Sequence, residues 1–271
     1  MALFTTFNAL HQQSAPLFLA NCWDPSSALI IEQAGGQAVA TTSWGMSNHQ
    51  GYKDGEQLTF DRVLQTVSAI LKVITIPLSV DIEAGYSADQ NQIINHIIQL
   101  ADLGVAGINI EDKPSHQNSL RDIKAHQALL QAIKQALRHG GFDHFFINAR
   151  CDLCLQPQWT EAALHERALA YQAAGCDGFF IPGLTNTTMI KRLTALLSIP
   201  VNVMLLPGFS DKQALAELGV KRISSGNALS DHLIALQESA TRRLLEEHTV
   251  DFLFEQSVRT TWLSNQINHK I

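Results

Sequence analysis

The chain has 271 residues, of which 46% are hydrophobic and 16% are charged, a composition typical of a folded globular protein. The 19 Lys and Arg residues against 25 Asp and Glu residues give a formal net charge of −6, so no overall basic surface is available for nucleic acid. No apolar run is long enough to cross a bilayer, and the first residues lack the features of a signal peptide. We therefore expect a cytoplasmic protein that binds neither nucleic acid nor membranes.

Short apolar runs alternate with segments of helical periodicity, and this pattern predicts eight strands that are each followed by a helix. The predicted strands cover residues 16–20, 38–41, 78–81, 107–110, 145–149, 178–181, 201–204 and 221–224. The predicted helices cover residues 28–34, 59–73, 89–103, 123–138, 160–174, 186–197, 211–218 and 228–245. Between the second strand and its helix, the pattern predicts a polar loop.

Eight such units of about 30 residues each predict an α/β fold, a (β/α)8 TIM-type barrel that takes up residues 1–271 as one domain. An open, doubly wound sheet is the alternative, but no G-x-G-x-x-G motif follows the first strand. Residues 248–271 form an apolar tail, which is expected to pack on its own barrel or on a neighbouring subunit. The apolar residues of this tail are Phe252, Leu253, Phe254, Val258, Trp262, Leu263 and Ile267.

Acidic residues follow the third and fourth predicted strands. Asp81 and Glu83 come after the third strand, and Glu111 comes after the fourth. Because barrel enzymes build their active sites at the carboxyl ends of the strands, the three carboxylates are expected to lie close together and to repel one another. A Mg²⁺ ion, or Mn²⁺ as the alternative, would neutralise them with oxygen ligands, whereas zinc prefers His and Cys. Salt bridges to nearby Lys or Arg residues are the simpler interpretation.

Three further features are candidates for substrate binding and proton transfer. Arg150 follows the fifth strand and either clamps a substrate carboxylate or phosphonate or pairs with one of the acids. The segment Thr42-Ser43-Trp44 follows the second strand and offers backbone N–H groups to an anion, although such a segment is commonly only a turn. His116 lies after the fourth strand, where it is either a proton carrier or a solvated side chain.

Taken together and in order, several segments resemble the isocitrate lyase / phosphoenolpyruvate mutase superfamily, over about residues 21–229. They include Asn-Cys-Trp-Asp-Pro-Ser-Ser-Ala at 21–28, Gly-Tyr-Lys-Asp-Gly at 51–55, Val-Asp-Ile-Glu-Ala-Gly-Tyr at 80–86, Gly-Ile-Asn-Ile-Glu-Asp at 107–112, Ile-Asn-Ala-Arg-Cys-Asp at 147–152 and Gly-Val-Lys-Arg-Ile-Ser-Ser-Gly at 219–226. The resemblance implies a barrel whose last helix is exchanged between the subunits of a dimer or tetramer.

The resemblance also implies a site. It implies Mg²⁺ held partly through water by Asp81, Glu83 and Glu111, with Asp54 near the metal and the substrate as a candidate acid or base. A small 2-oxo acid would place its carboxylate against the Ser43 and Trp44 backbone and its other anionic end on Arg150. Mg²⁺ would then stabilise the pyruvate-like enolate that forms when a C–C or C–P bond breaks. The residues with these implied roles are Thr42, Ser43, Trp44, Asp54, Asp81, Glu83, Glu111, His116, Asn118 and Arg150.

The loop at residues 111–120 departs from the patterns of the superfamily. It lacks the cysteine that serves isocitrate and methylisocitrate lyases, and it lacks the second lysine of the mutases, but it keeps Asn118 and His116 as candidate lid contacts. The expected activity is therefore a Mg²⁺-dependent C–C lyase reaction rather than a C–P reaction. The alternatives are a non-catalytic barrel that binds a carboxylate, a phosphoenolpyruvate phosphonomutase or phosphonopyruvate hydrolase, and a pyruvate-type aldolase.

Overall fold

Eight parallel strands close into a barrel in the computed structural model of the chain, which describes residues 2–255. The strands are β1 (Leu17–Cys22), β2 (Val39–Thr41), β3 (Leu78–Asp81), β4 (Gly107–Glu111), β5 (Phe146–Arg150), β6 (Gly178–Phe180), β7 (Val201–Met204) and β8 (Arg222–Ser224). Each strand pairs with the next one in sequence, and β8 pairs with β1 in the register Leu17 to Arg222. The predicted (β/α)8 fold class is confirmed.

Helices surround the barrel and largely follow the predicted segments. They are α1 (Ala2–Leu10), α2 (Pro25–Gln33), α3 (Ser43–His49), α4 (Phe60–Leu71), α5 (Gln90–Leu103), α6 (Ile123–His139), α7 (Glu161–Ala173), α8 (Thr187–Leu196), α9 (Lys212–Glu217), α10 (Ala228–Glu246) and α11 (Phe252–Glu255). Side chains cap several of these helices, and the Asp24 carboxylate, for example, accepts a hydrogen bond from the Ser27 N–H at 2.7 Å. Within residues 2–255, no helix is both long and apolar enough to cross a membrane.

The sequence pattern does not predict helices α1 and α3. Helix α1 packs Phe4 and Phe7 against aromatic residues next to and within β5, with ring centroids 5.5 to 6.2 Å apart. The predicted polar loop after β2 is wrong at residues 43–49, which form α3. The Thr42 hydroxyl caps this helix by accepting a hydrogen bond from the Gly45 N–H at 3.3 Å. Ser and Gly have low helix propensity, so the residue pattern of this segment does not indicate a helix, and the cap adds stabilisation that the pattern does not show.

Polar side chains fill part of the barrel interior. The Asn148 amide donates hydrogen bonds of 2.9 Å to the side-chain oxygens of Asn109 and Asn202. Arg222 is 1% exposed and donates to Asn109 Oδ1 at 3.0 Å and to the Ser79 hydroxyl at 3.2 Å. Five strands, β3, β4, β5, β7 and β8, therefore share one buried hydrogen-bond network that lies below the open end of the barrel.

The predicted apolar tail lies only partly within the described residues. Residues 256–271, with Val258, Trp262, Leu263 and Ile267, lie outside them. In the described part, the Phe252 ring lies 3.7 Å from the Arg243 guanidinium carbon, and Phe254 is 68% exposed. Packing of the tail on the barrel or on another subunit stays a prediction.

Candidate active site

A cavity of about 180 Å³ lies at the carboxyl ends of the strands, where barrel enzymes place their catalytic groups. Six of the predicted site residues line it: Thr42, Ser43, Trp44, Asp54, Asp81 and Arg150. The other predicted residues are not among its lining residues. Glu111 pairs with the lining residue Arg150, and Glu83 accepts a hydrogen bond from the Glu56 N–H, two residues after the lining residue Asp54. His116 and Asn118 are exposed on the loop after β4.

Arg150 is surrounded by carboxylates. Its Nε and Nη2 atoms donate two parallel hydrogen bonds to Asp152, at 2.6 and 3.0 Å. Its Nη1 atom lies 3.0 Å from Glu111 Oε2 and 3.8 Å from Asp81 Oδ2. Burial lowers the pKa of Arg150, but the charges of Glu111, Asp152 and Asp81 outweigh this effect and raise it well above its usual value. The predicted pairing of Arg150 with the acids is therefore present.

The carboxyl groups at the mouth of the barrel ionise less readily than exposed carboxyl groups do. Burial raises the pKa of Asp81, and Arg150 only partly offsets this effect. Burial also raises the pKa of Glu111 and, together with Asp54, raises that of Glu83 to about 8. A cation bound beside these carboxyl groups would stabilise their ionised form and lower their pKa values.

Asp81 carries the clearest sign of a missing positive partner. Its Oδ2 atom accepts a hydrogen bond from the Ser43 hydroxyl at 3.1 Å, whereas its buried Oδ1 atom has no hydrogen-bond partner. Buried carboxylate oxygens are rarely left without a partner. Among residues 2–255, no three His, Cys, Asp or Glu side chains form a group able to hold a metal ion by themselves. The residues fit a cation that takes one carboxylate oxygen and completes its shell with water and substrate oxygens, as Mg²⁺ commonly does.

Glu83 belongs to a strained hydrogen-bond network beside the cavity. Its carboxylate accepts hydrogen bonds from the Tyr86 hydroxyl at 2.8 Å and from the Glu56 N–H at 2.7 Å. The Glu56 carboxylate in turn accepts from the Tyr86 N–H at 2.6 Å. Glu56, Glu83 and Tyr86 are the three described non-glycine residues with positive φ, at 59°, 48° and 59°. Three residues in a costly backbone conformation thus stabilise one another.

The loop at residues 112–121, called the lid loop below, is fixed at its base and attached near its tip. The Arg121 N–H donates to the Asp112 carbonyl at 2.7 Å, which closes the loop. The buried Asp112 carboxylate accepts hydrogen bonds from the Tyr171 hydroxyl at 2.6 Å and from Arg167 at 3.0 Å. Nearer the tip, the Ser115 hydroxyl donates to Glu56. The exposed residues between these attachments include His116 and Asn118.

Helix α3 gives the cavity a wall with free backbone donors. The first N–H groups of any helix have no partner within the helix and favour an anion. Ser43 and Trp44 occupy these first positions and line the cavity. The Trp44 indole N–H donates to Asp231 in the first turn of α10 at 2.8 Å, so its ring is held in place although it is 42% exposed.

Sequence reasoning missed two asparagines and an apolar wall of the site. Asn21 lines the cavity, and its side-chain oxygen accepts hydrogen bonds from the Ser225 hydroxyl at 3.1 Å and the Gly226 N–H at 2.9 Å. Asn109 also lines the cavity from within an apolar strand. A polar residue at an inward position of such a strand is a usable signal. An apolar wall carries no such signal, and it consists of Leu155, Phe180, Pro182 and Met204.

The chain is similar to several known proteins. The sequence model of the phosphoenolpyruvate phosphomutase family matches residues 7–245. The uncharacterised protein Rv1998c of Mycobacterium tuberculosis (strain ATCC 25618 / H37Rv) is 37% identical over 223 residues, which are 82% of each chain. The 2-methylisocitrate lyase of Salmonella typhimurium is 28% identical over 200 residues, 72% of this chain and 67% of the lyase. A phosphonopyruvate hydrolase crystallised with oxalate and Mg²⁺ shares the fold, with a TM-score of 0.88 and 18% identity over 100% of this chain and 96% of the hydrolase.

Proposed function

Because the chain belongs to the phosphoenolpyruvate phosphomutase family, within the isocitrate lyase / phosphoenolpyruvate mutase superfamily, we propose that it is a Mg²⁺-dependent enzyme that cleaves or forms a C–C bond next to a 2-oxo acid. The observation that carries this proposal is the buried Asp81 carboxylate, with one unpartnered oxygen, on the wall of the strand-end cavity. The related 2-methylisocitrate lyase acts, by its name, on a small carboxylate.

Asp81 would be the protein ligand that binds the metal directly. Glu83 and Glu111 would support it through water, because their carboxylates already accept hydrogen bonds from Tyr86 and Arg150. When bound, Mg²⁺, or Mn²⁺ in its place, would act as a Lewis acid on the oxygens of a 2-oxo acid. The all-oxygen donor set suits these hard ions better than zinc.

The remaining residues would hold the substrate and move a proton. The first N–H groups of α3, at Ser43 and Trp44, would bind the substrate carboxylate, and Thr42 would keep them oriented by capping the helix. Arg150 uses three of its five N–H groups on Asp152 and Glu111, which leaves two for a substrate oxygen. Asp54, exposed at the cavity wall, is placed to exchange a proton with the substrate.

His116 and Asn118 would contact the substrate only after the lid loop moves over the cavity, since both are exposed in the present arrangement. Loop closure of this kind is a common way to exclude water from a reacting site. A C–P reaction, by a phosphonomutase or a phosphonopyruvate hydrolase, is the second candidate function, favoured by the family match.

We also propose a homo-oligomer, a dimer or a tetramer, that covers helix α10. Large apolar side chains project from this helix with 40% to 79% of their surface exposed: Leu233, Ile234, Leu236, Leu244 and Leu245. Such a row of exposed apolar residues is unusual on a monomer and typical of a surface that binds another chain. The expected partner is the same helix region of a second subunit.

Calorimetric titration with oxalate, with and without Mg²⁺, tests the proposed function, because oxalate mimics a pyruvate enolate and requires no choice of substrate. We expect binding only when Mg²⁺ is present, and loss of that binding in Asp81→Asn, which keeps the shape of the side chain. Asp61→Asn, on the outer helix α4, is the matched control. Binding without Mg²⁺ would argue for a non-catalytic carboxylate-binding barrel, and no binding at all would refute the proposed site.

A further inference from the structure

Both oxygens of the Glu83 carboxylate are held by donors from nearby turns. Its Oε1 atom accepts a hydrogen bond from the Tyr86 hydroxyl at 2.8 Å, and its Oε2 atom accepts one from the Glu56 N–H at 2.7 Å. Glu83 is 4% exposed, so bulk water cannot readily replace these donors. Each carboxylate oxygen has two lone pairs and keeps one for a further partner. The two donors therefore fix the direction in which Glu83 presents its remaining lone pairs.

The Glu56 carboxylate closes this network and joins three successive loops. One of its oxygens accepts a hydrogen bond from the Tyr86 N–H at 2.6 Å, and the other accepts one from the Ser115 hydroxyl. Glu56 follows helix α3, Tyr86 follows β3, and Ser115 belongs to the lid loop after β4. The turn that carries the Tyr86 hydroxyl to Glu83 is thus itself held by Glu56.

The network is built on strained backbone. Glu56 and Tyr86 both have a φ of 59°, in the left-handed region that side chains other than glycine rarely adopt. Glycine would adopt this conformation without strain, but it would remove a carboxylate or a hydroxyl from the network. The side chains at these two positions therefore impose a strain that a merely connecting turn does not require.

Glu56 and Tyr86 influence the strand-end cavity only through other residues. Among the described residues, those that line this cavity include Asp54 and Asp81 but neither Glu56 nor Tyr86. Both instead line a separate cavity of about 370 Å³ next to the lid loop. Any effect of Glu56 on the site must pass through the carboxylate that it orients, Glu83, or along its own backbone to Asp54.

We infer that Glu56 is a positioning residue for the metal site, because its N–H group and its carboxylate together fix the orientation of the Glu83 carboxylate. This inference rests on the proposed function, since Glu83 supports a cation only if Mg²⁺ binds beside Asp81. Groups that orient the residues around a metal commonly control its affinity, even though they do not touch it. Through Ser115, the same side chain also attaches the lid loop to this turn.

The affinity for Mn²⁺ alone tests the inference, because the electron paramagnetic resonance signal of free Mn²⁺ gives a dissociation constant without any substrate. Glu56→Gly keeps the left-handed turn without strain and removes only the side chain, so we expect the dissociation constant to rise about 10-fold or more. Glu56→Gln keeps an oxygen for the Tyr86 N–H and gains an amide that can donate to Ser115. It should restore the dissociation constant to within about threefold of the original.

Glu32→Gly is the matched control. The Glu32 carboxylate, on helix α2, also accepts hydrogen bonds from a backbone N–H and a hydroxyl, both of Thr75, at 2.7 and 2.6 Å. Its loss should lower thermal stability while leaving the Mn²⁺ dissociation constant unchanged. Tyr86→Phe removes one hydroxyl from the network and should raise the constant about 3- to 10-fold, which tests the inference even if Glu56→Gly does not fold.

The outcomes separate this inference from the proposed function. An unchanged dissociation constant in Glu56→Gly or, if that variant does not fold, in Tyr86→Phe would overturn the inference, and the proposed function would stand if Asp81→Asn still abolished binding. Equal weakening in Glu32→Gly would assign the effect to general loosening of the fold, and equal weakening in Glu56→Gln would assign it to charge. Either result would also overturn the inference. Failure of the unaltered protein to bind Mn²⁺ would instead refute the proposed metal site and the inference with it.

Discussion

Two arginines of the same barrel, one partly exposed at the mouth and one fully buried, occupy opposite electrostatic environments. Arg150, at the mouth, lies within 4 Å of three carboxylates, which raise its pKa. Arg222, in the interior, has only neutral polar partners, and its Nε and Nη1 atoms have none among the described residues. Burial lowers the pKa of Arg222 to about 9. Excess negative charge is thus gathered at the mouth, and an unneutralised positive charge is kept below it.

The difference shows which part of the barrel is built to receive a cation. The guanidinium carbon of Arg222 lies 5.7 and 5.9 Å from the ring centres of Phe7 and Phe146. Cation–π interactions with these rings, and not carboxylates, therefore stabilise its charge. The His11 ring stacks on the Phe146 ring with their centroids 4.1 Å apart. Burial, and to a lesser extent the charge of Arg222, lowers the pKa of His11 to about 3. At the mouth, by contrast, Asp81 keeps an oxygen without a partner. A divalent cation would complete the mouth and would be repelled by the interior.

Arg150→Met is expected to have the largest effect, because it leaves the Asp152 and Glu111 carboxylates without their cation. Loss of one partner from a buried ion pair costs about 3–5 kcal/mol of unfolding free energy. The raised pKa values of Asp81 and Glu111 mean that these groups take up protons on folding, so stability rises as the pH falls below those values.

Urea denaturation of this variant should therefore show a larger deficit at pH 8 than at pH 5.5. Arg150→Lys keeps the charge but not the planar fork, and we expect it to recover part of the stability while oxalate binding remains weak. An equal loss of unfolding free energy in Arg150→Met at both pH values would show that the charge of Arg150 does not stabilise the ionised acids.

Arg222→Met should have a much smaller effect, and its pH dependence should appear at higher pH. Replacing an unpaired buried charge with an apolar side chain is commonly neutral or stabilising, so we expect an unfolding free energy within about 1 kcal/mol of the original or above it at pH 8. Arg222 has a lower pKa in the folded chain than in the unfolded one, so its charge penalises folding below about pH 9 and less above it.

Any advantage of Arg222→Met should accordingly shrink between pH 8 and pH 10 in urea denaturation. A loss of more than about 3 kcal/mol at pH 8 would mean that the hydrogen bonds to Ser79 and Asn109 outweigh the cost of the buried charge, and the contrast between the two arginines would fail.

Ser115→Ala is expected to have the smallest effect and refines the description of the mouth. It removes the hydrogen bond between the lid loop and Glu56, which contributes about 0.5–1.5 kcal/mol. Hydrogen exchange of the lid loop, followed by mass spectrometry, should accelerate about 2- to 10-fold, with residues 83–88 unchanged. Ser119→Ala, in the same loop, is the control, because its exposed hydroxyl makes no hydrogen bond within residues 2–255. Equal exchange in both variants would rule out an attachment at Ser115.

The fold was predictable because its signal is repeated eight times. Each unit has an apolar run and a periodic helix, so errors of up to three residues at the ends of a predicted element do not alter the number of units. Helix α3 was not predicted, since its start depends on the Thr42 cap and on Gly45, where a Cβ atom would lie 2.7 Å from the Thr42 methyl group. Helix α1 was missed because its apolar residues find their partners in β5, far along the chain.

The sequence by itself determined which charged residues lie at the strand ends, because in a closed parallel barrel the carboxyl ends of all the strands lie at the same face. Six of the ten predicted site residues accordingly line the cavity. Only the tertiary structure decided how the charges pair. Glu111, at the end of β4, and Asp152, two residues after Arg150, both engage Arg150, and the apolar wall joins residues from three β/α units. The Glu111 pair and the apolar wall depend on distances between segments that are remote in sequence, and in a low-dielectric cavity such distances decide which carboxylate keeps its charge.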